Sequence, residues 1–106
     1  MARKMTPEGA VTKAIRDILR AMDIYHWKEH QGLGSAPGVS DILGIYDGRL
    51  LAIEVKAPKK HVRVGSNQER FLRNVEDRGG IAFEANSIDA LKAGFERYGY
   101  KLPLLL

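Results

Sequence analysis

The residues of this chain best suited to chemistry are Glu54 and Lys56, which end an apolar run, and Asp41, which lies upstream in Gly38-Val39-Ser40-Asp41. Leu50-Leu51-Ala52-Ile53 reads as a buried strand, and a carboxylate and an ammonium at its end are costly to bury without partners. Residues two apart in a strand share a face, so Glu54 and Lys56 project together while Val55 points away. With Asp41 on a neighbouring strand, the two acids can complete a divalent-cation site. Magnesium prefers oxygen ligands and usually takes one or two protein carboxylates, leaving other positions to water and substrate phosphate. The Val55 carbonyl can supply a third oxygen. Lys56 can then assist an attacking water or stabilise charge on a phosphorane-like transition state. These are the parts of phosphodiester hydrolysis.

The same residues admit a structural reading. Asp41 can cap or turn the chain, and Glu54 can pair with Lys56 at a strand end, an interaction often worth little. Gln68 falls in the first turn of a helix, on its inward stripe. A buried amide there needs partners, which a ligand water, a phosphate or nearby backbone can equally provide. Glu8 borders the apolar stripe of an N-terminal helix and is directed toward the core. It is either a helix-dipole partner or a third acid of the site.

A basic set, Lys56, Lys59, Lys60, His61 and Arg63, leads into that second helix, which carries Arg70, Arg73 and Arg78. A basic loop before a helix N-terminus favours a phosphate backbone; the alternative is a solvated charge run, partly neutralised by Glu69, Glu76 and Asp77. His26, His30 and His61 lack convergent ligand spacing, so histidine-centred metal chemistry is not expected. Tyr25 and Trp27 can stack on bases or belong to the core. The glycine-rich stretch 30–38 lacks a Gly-Lys-Ser/Thr ending, so nucleotide hydrolysis is not supported.

These residues must be held by elements that the chain's punctuation marks out. Thr6-Pro7 reads as an N-cap with proline at the first helical position, and Val11, Ile15, Ile18, Leu19 and Met22 give an amphipathic helix over 7–22. Alternation over 24–29 predicts a strand, with Tyr25 and Trp27 on one face. Strands at 39–46 and 49–57 flank Asp47-Gly48, a hairpin turn that makes them antiparallel neighbours. Pro58 ends the second of these. Ser66-Asn67-Gln68-Glu69 is a capping box. The helix it opens has Gln68, Phe71, Leu72 and Val75 inward, and Gly79-Gly80 stops it. Residues 81–85 form a last strand, and Asn86-Ser87 caps a final helix ending at Gly99. The order is α-β-β-β-α-β-α, an α/β fold with a mixed sheet flanked by helices; a crossover between parallel strands would be right-handed.

At 106 residues with a net charge of +4 and no cysteine, the chain reads as one domain over 1–106. Residues 1–5 look like a mobile basic start and 102–106 an apolar tail that packs on the core or at a dimer interface. Disulfides, thiolate zinc and cysteine nucleophiles are excluded. No apolar stretch approaches the ~18 residues of a membrane span and no signal-peptide region precedes the first helix, so no membrane partner is expected and the cytoplasm is the default location. The positive balance suits a polyanion.

Taken together, the motifs resemble the PD-(D/E)XK nuclease superfamily and, within it, the virus-type replication-repair nuclease family (VRR-NUC). The match runs over about 7–95: Glu8 on the first helix, Gly38-Val39-Ser40-Asp41, the Gly-Ile-Tyr-Asp-Gly hairpin, Ile53-Glu54-Val55-Lys56-Ala57-Pro58, Ser66-Asn67-Gln68-Glu69, and Gly79-Gly80 before the last strand. Ser40 stands where proline most often precedes the acid. The resemblance implies that Asp41, Glu54 and the Val55 carbonyl hold Mg²⁺ or Mn²⁺. It makes Lys56 the assistant of the attacking water, Gln68 the family's helix glutamine and Glu8 an outer acid and possible ligand. It further implies a homodimeric, structure-selective endonuclease cutting branched DNA such as four-way (Holliday) junctions in repair, with Lys59, Lys60, His61, Arg63 and Arg70 on the DNA. Two other readings remain: a non-catalytic nucleic-acid-binding module and a restriction-type endonuclease that reads duplex sequence.

Overall fold

Thr6 begins the first helix as its type dictates: its side chain accepts the Gly9 N–H at 3.0 Å, with Pro7 at the first helical position. A computed structural model describes residues 5–30 and 36–103. The elements run α1 (Pro7–Ala21), β1 (His26–Lys28), β2 (Ile42–Tyr46), β3 (Arg49–Val55), α2 (Asn67–Asp77), β4 (Ile81–Ala85) and α3 (Ile88–Arg97). This is the expected order, as an α/β fold with a four-stranded mixed sheet and three helices. Among the described residues no helix is long and apolar enough to cross a membrane. The anticipated mobile start lies outside the described residues except for Met5, as do 31–35 of the glycine-rich stretch and 104–106 of the apolar tail. Leu102 is buried and packs on the main core.

The sheet order is β1-β2-β3-β4, antiparallel except for the parallel β3–β4 pair. Asp47 and Gly48 both have positive φ, 53° and 71°, the backbone that a tight two-residue hairpin needs. Alternation then sorts the two faces. Ile42, Leu51, Ile53, Val55, Ile81 and Phe83 face α1 and α3, meeting Ile15, Leu19, Leu91 and Phe95. Ala52 and Ala82, on the other face, meet Val75, Phe71 and Leu72 of α2. Small alanines on that face let α2 approach closely over β3 and β4, and Glu54 and Lys56 stand at the end of the same face.

Three boundaries differ from the sequence reading. The strand expected over 24–29 is His26–Lys28, because the Ile24 N–H closes the end of α1 on the Leu19 carbonyl. The strand expected from residue 39 starts at Ile42: Gly38, at φ 71°, lies so close to Asn67 and Gln68 that a Cβ would overlap their backbone, and the Val39 N–H turns back to Ala36. The strand expected to reach Ala57 ends at Val55, and Ala57 accepts from the Lys60 N–H in a turn. The capping box is also shifted. Ser66 accepts from the Glu69 N–H, but Glu69 reaches to the N–H of Gly65.

Candidate functional site

Asp41, just ahead of β2, accepts the Val55 N–H through Oδ2 at 2.9 Å. A strand residue directs its N–H and C=O to the same side, so the Val55 carbonyl also lies on the β2 side of β3, the side of Asp41. Glu54 is only 4% exposed. Its Oε2 lies 3.9 Å from the Lys56 Nζ, and among the described residues its buried Oε1 has no hydrogen-bond partner. Burial, and next the neighbouring Asp41 carboxylate, push the Glu54 pKa up to about 8, against the pull of Lys56. A buried acid held against its own ionisation, with a second acid beside it, is an arrangement that a cation would relieve.

Among the described residues no group of three or more His, Asp or Glu converges as a metal cluster, so the acidic centre is the pair Asp41 and Glu54. Glu8 does not join it. Its side chain is exposed in the first turn of α1, which corrects the expected inward direction: it lines up with the Val11–Ile15–Leu19 stripe three residues before Val11, but burial along that stripe begins only at Val11. Gln68 is half-buried in the first turn of α2, the turn that Gly38 allows to close on the segment leading to Asp41.

The register exposes two acids that the sequence reading passed over. Glu84 pairs with Glu54 across the parallel ladder, and the Glu29 N–H donates to the Asp41 carbonyl at 2.7 Å. Glu29, Asp41, Glu54 and Glu84 thus stand in one row across the sheet. Glu84 tethers the basic loop: Oε2 accepts the Val62 N–H at 2.7 Å and Oε1 meets His61 Nδ1 at 3.3 Å. Asn86 adds a bond to the Lys60 carbonyl. Lys59, Lys60, His61 and Arg63 are exposed on this tethered loop. Arg70 is committed locally, to Asn67 and the Gly65 carbonyl. The only local signal for Glu84 was an acid inside an apolar strand. Replacing Glu84 by alanine should raise amide exchange at Val62 about tenfold or more, since a charge-assisted bond is lost; Glu84→Gln should restore most of the protection. Unchanged exchange in the alanine variant would mean that Glu84 does not hold the loop.

Ser40 is fully buried, and its Oγ has no partner among the described residues. An unpaired buried hydroxyl costs about 1–3 kcal/mol, so Ser40→Ala is expected to stabilise the fold by about 1 kcal/mol in denaturant unfolding. A loss of stability instead would show that the hydroxyl is paired. Neither protein-family models nor curated proteins nor solved structures give any match to this chain.

Proposed function

We propose that this chain is a divalent-cation-dependent endonuclease with a PD-(D/E)XK-type core, resembling the VRR-NUC family, and that it cuts branched DNA as a homodimer. One observation carries the reading: Glu54 is buried beside Asp41 at the end of one sheet face, its Oε1 without a partner among the described residues and its Oε2 3.9 Å from the Lys56 ammonium. Two carboxylates and a carbonyl directed to the same side suit Mg²⁺ or Mn²⁺, whose remaining positions go to water and phosphate. When bound, the cation supplies Lewis-acid polarisation of a phosphate oxygen.

The chain's own residues do the rest. Asp41 and Glu54 fix where the scissile phosphate sits. Lys56 is anchored through its N–H to the Ala85 carbonyl, and its side chain is partly exposed. It can therefore orient a water for attack at phosphorus, or donate to a phosphate oxygen as charge builds. The water oxygen bonds to phosphorus, the P–O bond to the leaving sugar breaks, and the water's proton ends on the leaving oxygen or in solvent. The loop tethered by Glu84 presents Lys59, Lys60, His61 and Arg63 to flanking phosphates. A homodimer suits a branched substrate, because one site cuts one strand and two symmetry-related sites make paired incisions across a symmetric junction.

The test is cleavage in Mg²⁺ and Mn²⁺ of a linear duplex, a single strand, a flap and a four-way junction. A symmetric pair of nicks on the four-way junction alone is expected. Salt-dependent binding without cleavage of any of the four would leave a nucleic-acid-binding module, and cutting that followed duplex sequence and ignored branching would leave a restriction-type enzyme.

A further inference from the structure

On the sheet face that carries Asp41 and Glu54, α2 packs over β3 and β4 and reaches Leu43 of β2; beyond Leu43 the described residues of this face carry exposed side chains. Two aromatics stand there in water: Tyr25 is 70% exposed and Trp27 37%. Their ring centroids are 5.7 Å apart at 55°. Ile45, bonded across the ladder to Tyr25, and its partner Leu50 are exposed beside them. Aromatic rings contribute most to folding when buried, so this patch does little for the fold. The indole is nonetheless held in place, its Nε1–H donating to Glu29 Oε2 at 3.0 Å.

Glu29 links the aromatics to the acid pair, because its N–H bonds the Asp41 carbonyl. At about 3.3 Å per strand residue, Trp27 lies about 7 Å and Tyr25 about 13 Å along the strand direction from the row of Asp41. A DNA strand advances roughly 3.4 Å per stacked nucleotide. Both rings are therefore within a few nucleotides of a phosphate held at Asp41 and Glu54.

Chemistry selects the occupant. Tyr25, Trp27, Ile45 and Leu50 offer exposed apolar surface, with Arg49 and Arg78 lining a cleft beside Leu50, and the loop held by Glu84 puts further cations on the far side of the acid pair. A cationic track beside exposed aromatics suits a strand whose backbone follows the charges and whose bases lie on the rings. Bases stacked inside a duplex cannot reach such a surface. We infer that Tyr25 and Trp27 form a shelf for unpaired bases of the strand whose phosphate lies at Asp41 and Glu54. The inference rests on the nuclease reading for the place of that phosphate, and it narrows the substrate to branched DNA whose bases beside the cut are unpaired or open at the branch point.

Trp27 is the chain's only tryptophan, so its emission reports on the shelf directly. In EDTA and low salt, oligothymidine should quench it and a duplex of equal length should not. Tyr25→Ala, at an exposed position, should weaken oligothymidine binding roughly 5- to 100-fold and leave duplex binding unchanged. Equal quenching by the duplex, or unaltered oligothymidine affinity in Tyr25→Ala, overturns the shelf. So does a wild-type dimer that Tyr25→Ala and Trp27→Ala both dissociate without changing oligothymidine affinity, since the face would then join two copies. The titration needs neither metal nor cleavage. Quenching in a protein that cuts no DNA in Mg²⁺ removes the nuclease reading and keeps the shelf; cutting without quenching does the reverse.

Discussion

Asp41→Asn is expected to reduce Mg²⁺-dependent DNA cleavage by roughly 10³-fold or more while leaving the fold intact. The choice of asparagine matters. Asp41 accepts the Val55 N–H, and the asparagine carbonyl can accept the same bond, so the turn into β2 survives. Alanine would leave that N–H without its partner, at about 1–3 kcal/mol, and would mix instability with lost chemistry. Asparagine also removes a charge that works against ionisation of Glu54, so the metal-free variant should be at least as stable as wild type. Lys56→Ala should lower kcat about 10²- to 10³-fold, with DNA binding largely kept because the loop cations and their tether remain. The measurements are single-turnover cleavage of a four-way junction alongside thermal unfolding in EDTA. If either variant cuts at the wild-type rate, Asp41 and Lys56 do not have these roles. If Asp41→Asn loses activity only in step with a fall in melting temperature, its role is structural.

The parts of this arrangement visible in the sequence were those written in local patterns. Asp47-Gly48 set the hairpin, and with it the neighbourhood of Asp41 and Glu54. Thr6, Ser66 and Ser87 each cap the helix they announce. Long-range register was not visible. Glu84 stands beside Glu54 only because the chain crosses over through α2 and returns parallel to β3, and no short pattern encodes which residue lands opposite which. Glu29 joins the row through a ladder bond outside the three-residue core of β1. Periodicity put Glu8 along a stripe, but it could not decide where on the helix burial of that stripe begins. Tyr25 and Trp27 share the face that alternation gave them; their exposure depends on how far α2 extends across the sheet, which is a property of the packed layers. The core of the proposed site was thus legible where a hairpin brought it together, and its supports were not, because a crossover did.

Glu54 should make the stability of the metal-free protein fall as pH rises from about 4.5 to about 8. Its carboxyl has an ordinary pKa of 4.5 when exposed and about 8 in the fold. Below 4.5 the folded and unfolded chains both hold the proton, and Glu54 has no effect on stability. Between the two values the unfolded chain has released the proton and the folded chain keeps it, so each rise in pH favours unfolding. The penalty is complete by about pH 8, and at 1.36 kcal/mol per pKa unit it is on the order of a few kcal/mol. Glu54→Gln keeps the shape and hydrogen-bonding capacity of the protonated acid, with no charge to bury. Wild type and Glu54→Gln should therefore unfold at similar urea concentrations near pH 5 in EDTA. By pH 8 the variant should be the more stable, by roughly 10 °C or more in melting temperature for a domain of this size. Added Mg²⁺ should invert that order, because it binds the ionised carboxylate of wild type and lacks that ligand in the variant. Calorimetric titration near pH 7 should show close to one proton released per cation bound, with apparent affinity rising up to tenfold per pH unit below about 8. Parallel stability profiles for the two proteins across pH 5–9 would show that Glu54 ionises freely in the fold. A Mg²⁺-induced gain in stability equal in both would place the cation elsewhere. Together the two profiles separate a buried acid kept for cation binding from one that merely pairs with Lys56.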